Sequence, residues 1–301
     1  MNNPFNTRHQ TGQHDFEGVV YGLLGSCIWG AFMAVSSQGV NDGFSPEDLT
    51  FLRFLTAGLL LAPVLTITNY IGKLGWSRAL ILTLLAGPAF AIFTTYGLQL
   101  SPLLHGTVIQ AVTLIVFSLM LMWWLTKERL GGSYLAGLLV LFVGLAAVAC
   151  PALHRQSELL QGDALFIVAG MMWATFMVLI WVWRLDALAV TVVVSVLSAL
   201  LYCPFYLLSH GPMHISMLDF DEVIEQLMIQ GVLSGVMAVF AFSKSVQYLG
   251  VSRAALFPAL SPAITMVLET MLFQQIPVLS QWIGFSVITA GLVLSFYRDP
   301  A

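Results

Sequence analysis

EGVVYGLLGSCIWGAFMAV (residues 17–35) and QGDALFIVAGMMWATFMVL (residues 161–179) are two apolar stretches that resemble each other. Each holds close to the roughly 20 apolar residues that a helix needs to cross the ~30 Å hydrocarbon core of a bilayer. Four residues coincide when the second stretch is shifted by 144 positions: Gly18 with Gly162, Trp29 with Trp173, Phe32 with Phe176 and Met33 with Met177. The pair predicts a membrane protein with an internal repeat.

The composition of the whole chain agrees with a membrane location. Of the 301 residues, 58% are hydrophobic and 9% are charged, and the mean hydropathy is +0.89. A soluble domain carries roughly 25% charged residues, so a water-soluble enzyme and a disordered protein are excluded. The net charge of −4 leaves no basic surface for phosphates and excludes nucleic-acid binding. The three cysteines lie in apolar runs and indicate neither disulfides nor a metal site.

Ten apolar stretches of membrane-spanning length follow one another along the chain. They predict ten helices, at residues 17–38, 47–69, 78–99, 103–125, 132–151, 162–183, 187–208, 226–247, 253–274 and 279–297. The stretches are continuously apolar and too long for the alternating strands of a membrane barrel. The sequence therefore predicts an all-α integral membrane protein with ten transmembrane helices.

Basic residues are divided unevenly between the two sides of this predicted bundle. Ten spans place both termini on one side, and nine of the eleven Lys and Arg residues fall there. Only Arg53 and Arg155 fall on the other side. By the positive-inside rule we predict that both termini are cytoplasmic and that the protein lies in the inner (plasma) membrane of the cell. Residues 1–16 are predicted to form a disordered cytoplasmic leader.

The repeat extends through the chain. Further pairs align at offsets of 141 and 147 residues: Pro63 with Pro204, Gly137 with Gly284 and Gly144 with Gly291. We therefore predict a first five-helix repeat over residues 17–151 and a second over residues 152–301. Because five is an odd number, the second repeat enters the membrane from the opposite side. Inverted repeats of this kind underlie alternating access around a midplane site.

Four segments carry further motifs: GLLGSCIWGAF (22–32), SPEDLTFLRFLTAGLLLAP (45–63), MLMWWLTKERLGGSYLAGLLVLFVGL (120–145) and KSVQYLGVSRAALFPALSPAITMVLETMLFQQIPVLSQWIGFSVITAGLVL (244–294). Together they resemble the drug/metabolite transporter superfamily, EamA type. The resemblance implies ten helices in two inverted repeats, with both termini in the cytoplasm. Glu128 matches the acidic residue that the family has after its fourth helix. Gln275 stands where the second repeat usually has Glu, which is a departure from the family pattern.

Aromatic residues near the middle of the spans are the first site candidates. Trp29 and Trp173 lie away from the interfaces where membrane tryptophans collect. On pseudo-symmetric helices, the two indoles would give a central cavity two flat faces for stacking a ring or covering a cation. Plain helix packing is the alternative. Tyr96 and Gln99 of the third span are predicted to add a polar patch to the same cavity.

Ionisable residues within spans are the second group, since each costs a few kcal/mol at the centre of a helix. Ser261, Thr265 and Glu269 share one face of the ninth span, which predicts an interior, water-lined surface with Glu269 in a coupling role. The alternative places Glu269 at the outer interface, where it snorkels. His105 and Gln110 of the fourth span are predicted to bind substrate. A histidine could also couple transport to protons or act as an interfacial hydrogen-bonding group.

Three further residues are candidates for gating or coupling. Arg53 of the second span could bind a substrate carboxylate through its bidentate fork, or pair locally with Glu47 and Asp48 as an anchor. Lys244 and Tyr248, at the inner end of the eighth span, could form an inner gate or serve as interfacial anchors.

We predict a secondary transporter, an exporter or exchanger of small organic metabolites that works by alternating access. The family resemblance implies amino acids, and the Trp- and Tyr-rich cavity favours aromatic or bulky apolar ones; other metabolites and xenobiotic cations are the alternative cargo. A receptor or an intramembrane enzyme is less favoured, and with no nucleotide-binding or catalytic motif we expect no cofactor, metal or catalysis. The expected partners are substrate and bilayer, in a monomer or in a homodimer formed through the glycine-rich fifth and tenth spans.

Overall fold

In the computed structural model of this protein, the described residues are 13–127, 131–149, 159–210, 219–273 and 277–296. Over these ranges the chain is helical and contains no strand. Nine of the described helices are long and apolar enough to cross a membrane, and a further apolar helix, Gly132–Val148, is shorter. Helices suit this setting because lipid offers the backbone no hydrogen-bond partner. The predicted ten-helix all-α membrane fold is confirmed.

Among its described residues, the first repeat contains seven helices: α1 (Gln13–Asn41), α2 (Pro46–Ile67), α3 (Tyr70–Leu74), α4 (Trp76–Ala86), α5 (Pro88–Leu100), α6 (Leu103–Thr126) and α7 (Gly132–Ala149). Ser45 begins α2 with a capping box that it forms with Asp48. The third span is broken between α4 and α5, because Pro88 lacks a backbone N–H. A side chain at Gly87 would also lie 2.1 Å from the carbonyl oxygen of Thr83.

Within the described ranges, the second repeat contains nine elements: α8 (Leu159–Val182), α9 (Ala187–Ser209), α10 (Phe220–Gln226), a π-helix (Leu227–Ala238), α11 (Val239–Leu249), α12 (Val251–Ala254), a 3₁₀ turn (Phe257–Leu260), α13 (Ser261–Phe273) and α14 (Leu279–Phe296). The eighth span joins α10, the π-helix and α11 into 30 continuous helical residues. A π-helix usually occupies a single turn, often at a functional site. The third and eighth spans, which correspond in the two repeats, are thus both irregular.

Helix packing shows that the two repeats run in opposite directions. Close approaches between pairs of helices give their relative directions. In the first pair of helices, Gly22 lies against Phe257 and Gly30 against Ile264. In the second, Gly106 lies against Phe166 and Gln110 against Gly170. The first set of contacts makes α1 parallel to α13, and the second makes α8 parallel to α6. Tyr134, shortly after the end of α6, donates a hydrogen bond to the carbonyl oxygen of Ser252, shortly before the start of α13. The helices α6 and α13 therefore start at opposite ends of the bundle, so α1 and α8 are antiparallel. We call these ends the Ser45 end, where α2, α6 and α8 begin, and the Gly250 end, where α1 begins.

The peripheral helices α7 and α14 pack directly on one another along glycines. A methyl group added at Gly137 would lie 2.7 Å from the carbonyl oxygen of Gly291. One added at Gly144 would lie 2.8 Å from the carbonyl oxygen of Gly284. Small residues let helix backbones approach closely in a membrane. The glycines considered as a dimer face therefore pack within one chain.

Helix α1 begins earlier than predicted. Its first residue is Gln13, so residues 13–16 are helical and do not belong to a disordered leader. Two features favour this start: Asp15 lies in the first turn, where the helix dipole favours an acid, and the ring of His14 stacks on Tyr248 at 5.3 Å. The rest of the predicted leader, Glu128 and Gln275 lie outside the described residues.

Candidate functional site

Six aromatic side chains meet inside the bundle, and we call them the aromatic cluster: Trp29, Phe32, Phe90, Trp173, Phe176 and Phe242. The ring centres of Trp29 and Trp173 lie 5.0 Å apart with a tilt of 57°. Both side chains are buried, with 5% and 1% of their surface exposed. Phe90 contacts these two indoles at 5.5 and 5.0 Å, and Phe242 contacts them at 6.1 and 6.0 Å.

The aromatic cluster follows the internal repeat. Phe32 packs on Trp29 at 5.6 Å, and Phe176 packs on Trp173 at 5.1 Å; these are the pairs that align at the offset of 144. The remaining two rings come from the third and eighth spans, which also correspond. Equivalent side chains that touch each other must lie at the axis that relates the repeats. The aromatic cluster therefore marks this axis.

The two tryptophans were predicted to face each other across a cavity, but they are in contact. The space between them is closed in this conformation. Within the described part of the chain, the buried Nε1–H of Trp173 has no hydrogen-bond partner. Buried indole N–H groups usually find one, and an unsatisfied group costs about 1–3 kcal/mol. The sequence did not predict that Phe90 and Phe242 join the indoles.

Arg53 lies beside the aromatic cluster on α2 and is 1% exposed. The guanidinium carbon is 5.0 Å from the ring centre of Phe32 and 5.6 Å from that of Phe54. Nη2 donates a long hydrogen bond of 3.4 Å to the backbone oxygen of Ser234. Nε and Nη1 have no partner among the described residues. Arginine at the centre of a membrane helix costs about 2.5–3.5 kcal/mol on insertion scales, so this charge is expensive.

The carboxylates closest to Arg53 in sequence are bound by tyrosines. The hydroxyl of Tyr96 donates to Glu47, and the hydroxyl of Tyr206 donates to Asp48. The carboxylate of Asp48 also closes the capping box of α2. No ion pair joins Arg53 to either acid in the described structure. The alternative that Arg53 is a local anchor for these acids is not observed.

Tyr96 and Gln99 lie on the third span but do not join the aromatic cluster. Tyr96 ties α5 to the start of α2 through Glu47. Gln99 is exposed near the end of α5. The predicted polar patch is thus split, because Tyr96 is bound to Glu47 whereas Gln99, at the end of the helix, is exposed.

A row of buried polar side chains in the eighth span lies beside Arg53: Gln226, Gln230 and Ser234. Gln226 donates to the carbonyl oxygen of Val35 at 3.0 Å, and Gln230 donates to the hydroxyl of Ser36 at 2.7 Å. The hydroxyl of Ser234 has no partner within the described ranges. We call these three residues the polar row. Their spacing of four in an apolar span was a signal that sequence reasoning missed.

His105 pairs with a residue that the sequence analysis did not select. Its Nε2 lies 3.1 Å from Oδ1 of Asp163, and the pair joins α6 to α8 at the Ser45 end. The hydroxyl of Ser101 donates to the same carboxylate at 3.4 Å. Asp163 could have been found as an acid just inside the sixth span. Deeper in the fourth span, Gln110 donates to the hydroxyl of Thr94 at 3.1 Å.

The polar face of the ninth span packs on α1. The hydroxyl of Ser261 donates to the carbonyl oxygen of Ser26 at 3.3 Å, and that of Thr265 donates to the carbonyl oxygen of Gly30 at 3.1 Å. These hydroxyls hold two helices together and do not line the predicted water-filled surface. Glu269, one turn further, is half-buried and has no hydrogen bond or ion pair among the described residues.

Lys244 and Tyr248 lie at the Gly250 end, where α11 meets the start of α1. The ring of Tyr248 stacks on those of His14 and Tyr21 at 5.3 and 6.2 Å. The ammonium of Lys244 lies 5.6 Å from the centre of the Tyr248 ring. This contact and the Tyr96–Glu47 bond are at opposite ends of the bundle.

The sequence matches the EamA-like transporter family twice, over residues 16–150 and 160–297. An uncharacterized transporter of Archaeoglobus fulgidus is 25% identical over 276 residues, which cover 89% of this chain and 93% of the relative. A solved crystal structure with 17% sequence identity shares the fold, with a TM-score of 0.71 over 93% of this chain and 96% of that one. This protein is thus a multi-pass membrane transporter of the drug/metabolite type. Since the two matches span most of its length, the chain belongs to the EamA-like transporter family.

Proposed function

We propose that this protein is a secondary transporter that exports or exchanges amino acids with aromatic or bulky apolar side chains. The observation that carries the proposal is the aromatic cluster on the axis between the repeats. It offers six rings, and the buried N–H of Trp173 lacks a partner within the described ranges. A cargo that enters between Trp29 and Trp173 gains stacking contacts and gives that N–H a polar partner.

The mechanism follows from the inverted repeats. When one repeat rocks against the other, corresponding helices exchange their roles and the cargo path opens to the opposite side. Phe90 and Phe242 lie on the third and eighth spans, which are both irregular. Broken and π-helical segments bend more readily than regular helix. Rocking at these spans would separate the two indoles and admit the cargo.

Contacts at the two ends of the bundle would act as alternate gates. At the Ser45 end, α2, α5 and α9 are joined by the bonds of Tyr96 to Glu47 and of Tyr206 to Asp48. At the Gly250 end, Tyr248 closes on α1. We propose that the protein lies in the inner membrane with both termini in the cytoplasm, as the uneven distribution of Lys and Arg residues predicts.

Counterflow in proteoliposomes tests this proposal. Liposomes that contain the protein are preloaded with a mixture of the twenty amino acids, and the entry of single labelled ones is followed. We expect phenylalanine, tyrosine, tryptophan and leucine to accumulate above empty liposomes, and Trp173→Ala to reduce this uptake. Trp76→Ala is the control, since this tryptophan is 62% exposed. Absence of uptake of every amino acid would overturn the amino-acid assignment.

A further inference from the structure

Arg53 is a buried cation without a counterion among the described residues. A charge taken out of water needs a partner of opposite charge, since the hydrocarbon supplies none. Arg53 is the eighth residue of α2, about 10 Å along the helix axis from its start at 1.5 Å per residue. It is therefore too deep to be an interfacial residue, and its stem and head are both enclosed.

The hydrogen-bonding capacity of Arg53 is almost unused. A guanidinium has five N–H donors, and the described structure gives Arg53 one long bond, to the backbone oxygen of Ser234 at 3.4 Å. Nε and Nη1 are buried and have no partner among the residues that the structure describes, and the same holds for the hydroxyl of Ser234. The guanidinium fork matches the geometry of a carboxylate. The free N–H donors of Arg53 are thus suited to bind an anion.

Phe32 connects this place to the aromatic cluster. The guanidinium carbon of Arg53 lies 5.0 Å from the ring centre of Phe32, and the ring centre of Trp29 lies 5.6 Å from the same point. An anionic group and an apolar ring can therefore be bound side by side, one at the guanidinium and one between the indoles. This arrangement fits a molecule with a carboxylate at one end and an apolar group at the other.

We propose that Arg53 binds the carboxylate of the cargo and thereby restricts it to organic acids, amino acids included, that carry an apolar group. The inference rests on the proposed function for the place of the apolar group. Cationic and neutral cargo is disfavoured, because it would leave the positive charge of the Arg53 guanidinium without a counterion. The second repeat has no equivalent charge, because Val194 aligns with Arg53 at the offset of 141. The carboxylate is therefore held by one repeat throughout the transport cycle.

The test compares molecules that differ only in charge. Thermal unfolding of the purified full chain in detergent gives apparent affinities for two pairs: phenylalanine with phenylalaninamide, and phenylpropanoate with phenylpropanamide. We expect the acid of each pair to bind at least ~10-fold more tightly than the amide, because only the acid forms charge-assisted bonds. Chloride and inorganic phosphate are tested alone and as competitors.

Variants test whether Arg53 causes the preference for the acid over the amide. Arg53→Gln should reduce the acid preference to within about twofold, and Arg53→Lys should leave an intermediate preference because it keeps the charge without the fork. Trp173→Phe should weaken both members of a pair and preserve their ratio. The control is Arg78→Gln, since Arg78 also lies over an aromatic ring, Trp183, but is exposed.

Several outcomes would overturn the proposal: equal affinity for acid and amide in the unmodified protein, a preference kept by Arg53→Gln, or inorganic anions that bind while organic acids do not compete. If Arg53→Gln is not monodisperse, the Arg53→Lys variant and the acid-to-amide ratio of the unmodified protein decide. Binding of phenylpropanoate without uptake of any amino acid would support Arg53 as the anion site and refute the amino-acid cargo.

Discussion

Arg53 of the first repeat and Val194 of the second occupy aligned positions, and both are buried, but only one carries a charge. The aromatic cluster behaves differently, because tryptophan matches tryptophan and phenylalanine matches phenylalanine across the axis. Side chains that match can exchange places when the repeats exchange conformations. A side chain without a match in the other repeat cannot exchange places in this way, and is suited to bind an asymmetric molecule such as a cargo with one charged end. We therefore assign the matched rings to the transport cycle and the unmatched charge to the cargo.

The largest effect is expected for Arg53→Gln, which makes the two repeats alike in charge. Two lost hydrogen bonds to a charged group, at about 1.5–3 kcal/mol each, predict a fall in uptake at low cargo concentration of about 100-fold or more. The empty protein should become more stable to heat, since an unpaired buried charge is removed. Counterflow and thermal unfolding measure these two effects. A variant that loses stability and keeps transport would show that Arg53 is structural.

Trp173→Phe breaks the match between the indoles and should have the next largest effect. It retains a ring but removes the N–H that lacks a partner among the described residues. We expect uptake to fall about 5- to 10-fold, as one hydrogen bond to the cargo is lost. Trp29→Phe is the matched control, for its ring lies in the same cluster, and its loss should be smaller. Equal losses would assign both indoles to packing alone.

The sequence alone predicted the features that depend on the order of residues along the chain. Apolar lengths predicted the ten helices, and the offset of 144 predicted that Trp29 and Trp173 correspond. The contacts of a helix face could not be predicted in this way. Ser261 and Thr265 share a face, but the crossing of α1 and α13 decides that this face bonds to carbonyl oxygens.

Residues near the predicted helix ends were the hardest to assign. Asp163 was not among the predicted site residues, although it pairs with His105 across the two repeats. The rings of the third and eighth spans could not be assigned to the aromatic cluster, because the break at Gly87 and the π-helix change which way the residues beyond them face. No pattern along the sequence records such a rotation.

The His105–Asp163 pair should give a smaller effect. Nε2 of His105 lies 3.1 Å from the Asp163 carboxylate and joins α6 to α8 at the Ser45 end, so the loss of either partner removes a contact between the two repeats. We expect His105→Gln and Asp163→Asn each to change uptake a few-fold, and the double variant to change uptake no more than either single variant. The control is Thr289→Val, whose hydroxyl is exposed and bonds within α14.

Losses that add in the double variant would show that the two residues act independently, and would contradict a role for the pair. Uptake by each variant is measured by counterflow with the same cargo.

The smallest effect is expected for Thr265→Val, which removes a hydroxyl that is already satisfied. Interhelical hydrogen bonds in membranes contribute about 0.6 kcal/mol on average, so stability should fall slightly and the apparent affinity for cargo should stay within about twofold. Thermal unfolding and counterflow of the same preparation check both values. A large loss of affinity would place Thr265 in the cargo site.

Competition in counterflow tests the central claim most directly. Proteoliposomes loaded with phenylalanine take up labelled phenylalanine while phenylalaninamide or phenylalanine is added outside in equal amounts. We predict that phenylalanine suppresses uptake and that the amide does not, because the amide cannot form the charge-assisted bonds to Arg53. Equal suppression by both compounds would contradict a site in which Arg53 binds the carboxylate and the aromatic cluster binds the ring.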